Sequence, residues 1–128
     1  MDRIYEIFLD NVKIGTTRLE KGDAPMGVVF GLIYFTDSKI GYDFIKAYCI
    51  KKQIALVTDS PKDKLISTRT IDELKVLNRE GIEIKGLGNQ IVGMDSEGFE
   101  ISIEGIPYPF YGVEFPNHVK DYKNMKKD

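Results

Sequence analysis

The chain holds one histidine, one cysteine and twenty acidic residues, and these set the chemistry it can carry. Any Ser-His-Asp or Cys-His arrangement has to use His118. Cys49 could serve it only if the fold joined two distant segments, and a lone thiol is more often a small buried apolar group. Cys49 is therefore expected on a helix face, and His118 beside a helix start. One His and one Cys cannot make a usual zinc site. Asp95, Glu97 and Glu100 resemble an acidic calcium loop only in composition, because their spacing is not that of an EF-hand. Gly86-Leu87-Gly88-Asn89-Gln90 is not a GxGxxG loop and no helix clearly follows it, so a turn between strands is expected. Two carboxylates could hydrolyse a glycoside, but with twenty acids any chosen pair is arbitrary. No catalytic set, cofactor site or metal site is expected.

The distribution of charge says more than the motifs. Between Lys85 and Lys120 there is no lysine or arginine, while Asp95, Glu97, Glu100, Glu104 and Glu114 give that stretch a formal charge of −5. The first 64 residues carry ten bases and nine acids, a net +1. The acidic stretch also holds Phe99, Tyr108, Phe110, Tyr111 and Phe115. One account is a core of aromatics beneath a wet carboxylate face. The other is an acidic surface with aromatic anchors, suited to a basic partner protein. A nuclease is a natural basic partner, because its own substrate is polyanionic. On that account Asp95, Glu97, Glu100, Glu104, Tyr108, Tyr111 and Glu114 are the candidate partner-binding residues.

The totals suit one domain over residues 1–128. A chain of 128 residues can form a sufficient core without disulfides, and with a single cysteine no internal disulfide can form. The net charge of −2 gives no support to direct nucleic-acid binding. The first residues lack a signal-peptide pattern, and no apolar stretch reaches the ~18 residues of a membrane span. A reducing, cytoplasmic setting is expected.

The elements that must position these residues follow from periodicity. Met26 to Phe35 is the longest apolar run, rich in β-branched and aromatic residues. It is expected as a central strand buried on both sides, with Gly31 marking a bulge or a close backbone approach. Residues 3–18 read as a hairpin about Asp10-Asn11, with apolar residues on both faces of its first strand. Residues 19–25 read as a polar loop. One principal helix is expected at about 38–50, capped from Thr36, Asp37 or Ser38, with Ile40, Phe44, Ala47 and Tyr48 at helical spacing. Strands are expected at 53–58 and 65–68. Residues 70–84 fit either a helix after the capping box at Thr70 or a hairpin, and the hairpin is preferred. Two further strands flank the turn Asp95-Ser96-Glu97-Gly98, the second presenting Glu100, Ser102 and Glu104 on one face. Short helical turns are expected over 110–122, with Pro116 in a first turn, and 120–128 as a fraying tail. The class is α+β, a mainly antiparallel sheet with one principal helix.

Two segments carry a resemblance. Glu20-Lys21-Gly22-Asp23-Ala24-Pro25-Met26-Gly27-Val28-Val29-Phe30-Gly31 resembles the pattern E-x-x-D-x-P-M-G-V-x-x-G. Gly105-Ile106-Pro107-Tyr108-Pro109, continuing to Phe115-Pro116-Asn117-His118-Val119, resembles a companion pattern near the C-terminus. Both are similar to a family of small bacterial proteins without assigned enzymatic activity, some encoded beside toxins. The resemblance implies an immunity protein, as in contact-dependent growth inhibition, and supplies no catalytic residues. Residue by residue, Asp23 to Gly27 also has a purely structural reading: Pro25 keeps Ala24 extended and Gly27 permits a tight entry into the apolar run. The expectation is a protein that binds and neutralises a cognate toxin, a basic nuclease domain, by occlusion and charge complementarity. The alternative is a small enzyme or ligand-binding domain with a pocket between sheet and helix.

Overall fold

The computed structural model describes residues 3–125. It contains ten strands, three α-helices and one 3-10 turn in two antiparallel sheets. The first sheet has the order β5-β2-β1-β8, built from β1 (Tyr5–Leu9), β2 (Val12–Thr17), β5 (Tyr34–Phe35) and β8 (Leu74–Leu77). The second has the order β3-β4-β10-β9-β7-β6. Its strands are β3 (Lys21–Asp23), β4 (Val28–Leu32), β6 (Leu56–Ser60), β7 (Leu65–Thr68), β9 (Gly88–Met94) and β10 (Gly98–Glu104). The helices are α1 (Tyr42–Lys51), α2 (Phe110–Glu114) and α3 (Pro116–Met125). This is the α+β class expected, mostly sheet.

Alternation explains how the two sheets share one core. Tyr5, Ile7 and Leu9 of β1 point inward with Leu74 and Val76 of β8. Val29 of β4 and Ile101 and Ile103 of β10 do the same from the second sheet. All belong to one continuous cluster of buried residues. The β1–β2 hairpin turns through Asp10 and Asn11, both left-handed at φ of 50° and 65°, a backbone that short polar residues tolerate.

Several expectations need correction. The apolar run is not one strand buried on two sides. Met26 is 67% exposed in the 3-10 turn Ala24–Met26. Val28, Phe30 and Leu32 alternate outward with inward Val29. After Ile33, whose amide donates to Phe99 O, the chain crosses to the first sheet as β5. The run is long because it serves two sheets. Similarly, β1 is buried mainly on one face, since Ile4 is half exposed and Phe8 only half-buried. The expected loop at 19–25 contains buried Leu19 and strand β3. The strand expected at 53–58 lies at Leu56–Ser60.

The helix begins later than its local capping residues suggest. Asp37 accepts from the Lys39 amide in a local turn, and α1 starts only after Gly41. Its inward face is Tyr42, Ile45 and Cys49, leaving Phe44 and Ala47 exposed. Residues 70–84 adopt the preferred hairpin in short form: β8 ends, Leu77 bridges Glu83, and the Ile84 amide donates to Val76 O. The expected tail is helical from Lys120 to Met125, and its remainder, 126–128, lies outside the described residues. Among the described residues no helix is long and apolar enough to cross a membrane.

Candidate functional site

The seven candidate partner-binding residues do not form one patch. Asp95 accepts a 2.9 Å hydrogen bond from the Tyr42 amide, so it caps α1 from a turn 53 residues away. Glu97 stays exposed in that same turn. Tyr111 is fully buried and donates to Val28 O at 2.9 Å. Burial pushes its hydroxyl pKa well above the ordinary value. Tyr108 is half exposed, donates to Ala24 O at 2.7 Å, and packs its ring 5.2 Å from that of Tyr111.

Glu114 is the most committed. Its side chain is 11% exposed. One carboxylate oxygen accepts from Tyr5 Oη at 2.9 Å and Arg3 Nη1 at 3.2 Å, and the other accepts from Asn78 Nδ2 at 3.1 Å. Arg3 also donates to the Glu114 carbonyl. Burial, and then the Glu114 hydrogen bond, hold the Tyr5 hydroxyl protonated far above its usual range. Asn78 meanwhile uses its Oδ1 to accept the amides of Glu80 and Ile82, fixing the turn after β8. Glu114 thus ties α2 to β1 and to that turn.

Glu100 and Glu104 do share a surface. Along β10 they alternate with buried Ile101 and Ile103, so both face outward from the second sheet. Glu100 lies opposite Leu32 on one side and Val92 on the other, and Ser102 lies opposite Phe30 and Gln90. Directly paired residues share a face, so Phe30, Leu32 and Val92 stand beside Glu100. Lys21, opposite Phe30, reaches Glu100 at 3.3 Å. That pair is solvated, and its strength is small. It nevertheless offsets one of the two charges.

The helices approach this sheet from its other side. Asp59, opposite buried Ile66, accepts from Tyr42 Oη and pairs with Lys46 at 3.0 Å, fastening α1 to the inner face. The Tyr42 hydroxyl, and then Lys46, hold the Asp59 carboxyl below its ordinary range. Gly22, opposite buried Val29, faces Tyr111 and His118, so α2 and α3 also lie inward. Among the described residues no helix covers the outward row of Val28, Phe30, Leu32, Glu100, Glu104 and Val92.

The two patterned segments are packed on each other. A Cβ on Gly27, at φ +66°, would stand 2.5 Å from Ile106 O, and the Ile106 amide donates to Gly27 O at 2.9 Å. Glu20 accepts from the Leu32 amide at 2.9 Å, and a Cβ on Gly31 would collide with Glu20 and Thr17. His118 Nε2 lies 2.8 Å from Leu19 O and its ring stacks on Phe115. Glu20, Gly27, Gly31, Tyr108 and His118 therefore have architectural work. Pro25 and Met26 stay exposed beside Tyr108.

Cys49 and His118 do not meet as a dyad: Cys49 is buried in the α1 face, where burial raises its thiol pKa, and His118 is engaged on α3. Among the described residues no three His, Cys, Asp or Glu side chains converge as a metal site. A Cβ on Gly86 would collide with Glu104 O, and the turn expected over 86–90 is in part strand, because β9 begins at Gly88.

Sequence reasoning missed an open cleft of about 1060 Å³. One wall is the end of the first sheet, with Arg3, Ile4, Tyr5, Arg18 and Arg79, and the other is the α2–α3 junction from Val113 to His118, with Asp121. Its residues lie at 3–5, 18–20, 78–80 and 113–121, so no local motif marks it. The one available signal was the scarcity of arginine.

Comparison with protein-family models, curated proteins and solved structures yields no match.

Proposed function

We propose that the chain is an immunity-type protein of the cytoplasm that binds a cognate toxin domain and blocks it by occlusion. The observation carrying this reading is the uncovered outer face of the second sheet. There Val28, Phe30, Leu32 and Val92 give an apolar centre, and Glu100 and Glu104 give carboxylates on a strand held from both sides. Val92 is exposed and Val28, Phe30 and Leu32 are half-buried, and an apolar strip of this kind, interleaved with charge, suits a protein partner. A stiff sheet presents it without an ordering cost on binding.

The acidic character selects a basic partner, of which a nuclease domain is the expected class. The attraction is weaker than the sequence alone implied, because Lys21 and Arg3 answer Glu100 and Glu114. Occlusion through apolar contact carries more of the affinity, and the carboxylates set orientation and encounter rate. The resemblance to small toxin-associated bacterial proteins points the same way.

The test is binding to the product of the adjacent open reading frame, measured at low salt with the wild-type protein, Phe30→Asp and Glu104→Lys. A polar charge inside the apolar centre is expected to weaken binding at least ~100-fold, and reversal of Glu104 about tenfold through a slower association rate. Wild-type affinity in both variants would remove this face from the interaction.

A further inference from the structure

The first sheet also has an outer side. Along β1, Glu6 and Phe8 alternate outward with inward Tyr5, Ile7 and Leu9. Phe8 lies opposite Lys13 on β2 and Lys75 on β8, and Glu6 lies opposite Thr16 and Leu77. Thr16 in turn lies opposite Tyr34, and Leu77 bridges Glu83. Paired residues share a face, so Phe8, Leu77 and Tyr34 give the outer side of this sheet an apolar centre. Tyr34 is 49% exposed, Phe8 and Leu77 are half-buried, and none of the three belongs to the core cluster. The helices pack elsewhere: α1 on β7, and α3 on β3 and the 3-10 turn. α1 meets the first hairpin at its tip, where Tyr48 and Lys52 reach Asp10, and α2 meets β1 through inward-facing Tyr5.

The two outer faces differ in sign. On the first sheet Lys13 and Lys75 stand against Glu6, and flanking Arg18, whose guanidinium rests over the Tyr34 ring, stands against Glu83. That is three bases against two acids, a formal +1. On the second sheet Asp23, Glu100 and Glu104 stand against Lys21, a formal −2. The Lys13–Glu6 pair at 2.8 Å and the Lys21–Glu100 pair at 3.3 Å cancel within their own faces. Among the described residues Lys75 on the first face, and Asp23 and Glu104 on the second, form no ion pair. The patterns are inverse as well. Phe8 sits between two lysines across its strands, whereas Glu100 sits between Leu32 and Val92. Because both sheets bury their inner sides in one core, the outer faces point away from each other. One copy can offer its basic face to the acidic face of the next, sheet on sheet.

We infer that the chain self-associates head to tail, the outer face of its first sheet docking on the outer face of the second sheet of another copy. The contact covers the apolar strip assigned above to the toxin, so toxin and second copy compete for it. The inference rests on that strip being an interface, not on the identity of the toxin. A contact between unlike faces does not close on itself at two copies. Association therefore grows with concentration, and small charges on each face keep it weak.

The experiment is sedimentation equilibrium of the full chain at low salt, up to about 1 mM, the range of weak interfaces. The proteins are wild type, Leu77→Glu, Lys75→Glu, Phe30→Asp and the control Lys62→Glu. Circular dichroism and thermal melts establish that each variant folds. Expected is a wild-type weight-average mass that rises with concentration above 14.6 kDa and falls back with added salt. Leu77→Glu and Phe30→Asp each weaken association ~10-fold or more, Lys75→Glu about threefold, and Lys62→Glu leaves it unchanged. An equimolar mixture of Leu77→Glu and Phe30→Asp recovers a dimer and nothing larger, because each supplies the face the other lacks. A mixture that stays monomeric overturns the inference, since unlike faces would then not be meeting. Variants that associate as wild type does overturn it equally. Monomeric wild type at every concentration also overturns it and assigns the first-sheet face to a different protein, while toxin binding stands or falls by its own titration. Self-association without toxin binding upholds the inference and removes the toxin.

Discussion

Glu114 and Glu104 come from the same base-free stretch and are only ten residues apart, yet they occupy opposite kinds of place. Glu114 sits in a nearly closed junction and answers three side-chain donors from two distant segments. Glu104 stands on an open sheet face with no ion pair among the described residues. The first is a structural acid, whose removal strands its partners. The second is a surface acid, free to meet another molecule. Sequence spacing cannot separate the two, because the difference lies in what arrives from residues 3, 5 and 78.

The largest break in this comparison is Glu114→Ala. It leaves Tyr5 and Asn78 without their acceptor and Arg3 without its counter-charge. A loss of about 3 kcal/mol in unfolding free energy is expected, read by urea denaturation, against less than ~0.5 kcal/mol for Glu104→Ala. Equal losses would erase the distinction.

Gly27→Ala comes next, at about 2–3 kcal/mol, since it meets both a left-handed backbone and the Ile106 carbonyl. Gly81→Ala is the paired control. It shares the positive φ but has nothing within 4 Å, so about 1 kcal/mol is expected. A similar cost at both positions would mean that the packing of the two patterned segments contributes little.

Asp95→Ala removes the distant cap of α1 and is expected to cost about 1 kcal/mol, while its turn neighbour Glu97→Ala stays within ~0.5 kcal/mol. Thermal melts followed at a helical wavelength resolve the two.

The smallest effect is alkaline. Burial first, then the Asp10 charge, push the Tyr48 hydroxyl up to about 12. A phenol whose folded pKa exceeds its unfolded value of roughly 10 favours the fold while protonated. That contribution is complete below pH ~10 and is lost as pH rises towards the folded value. Urea midpoints should therefore fall between pH 10 and 12 less steeply in Tyr48→Phe than in the wild type. Parallel curves would show that Tyr48 is not held from ionising.

Much of the architecture was legible because it is local. The Asp10-Asn11 hairpin, the strands about the 95–98 turn and the paired C-terminal helices all announce themselves within a few residues. What was not legible depends on distant partners. Local residues Thr36 to Ser38 offered helix caps, but the cap came from Asp95. The apolar run looked like one buried strand, but it divides between two sheets at Ile33. Tyr111 read as a surface anchor because an aromatic in an acidic stretch carries no mark of depth; its hydroxyl is paid for by Val28 O. The arginine cleft was invisible because its walls come from four separated segments.

The central claim is that the outer face of the second sheet meets another protein. The direct measurement is a methyl chemical-shift titration of the chain with the toxin-domain product of the adjacent open reading frame. The account predicts that Val28, Leu32 and Val92 methyl resonances shift and saturate together, with Ile7 and Val76 in the core nearly unmoved. Saturable shifts on the outer face of the first sheet, with Val28, Leu32 and Val92 unchanged, would contradict it.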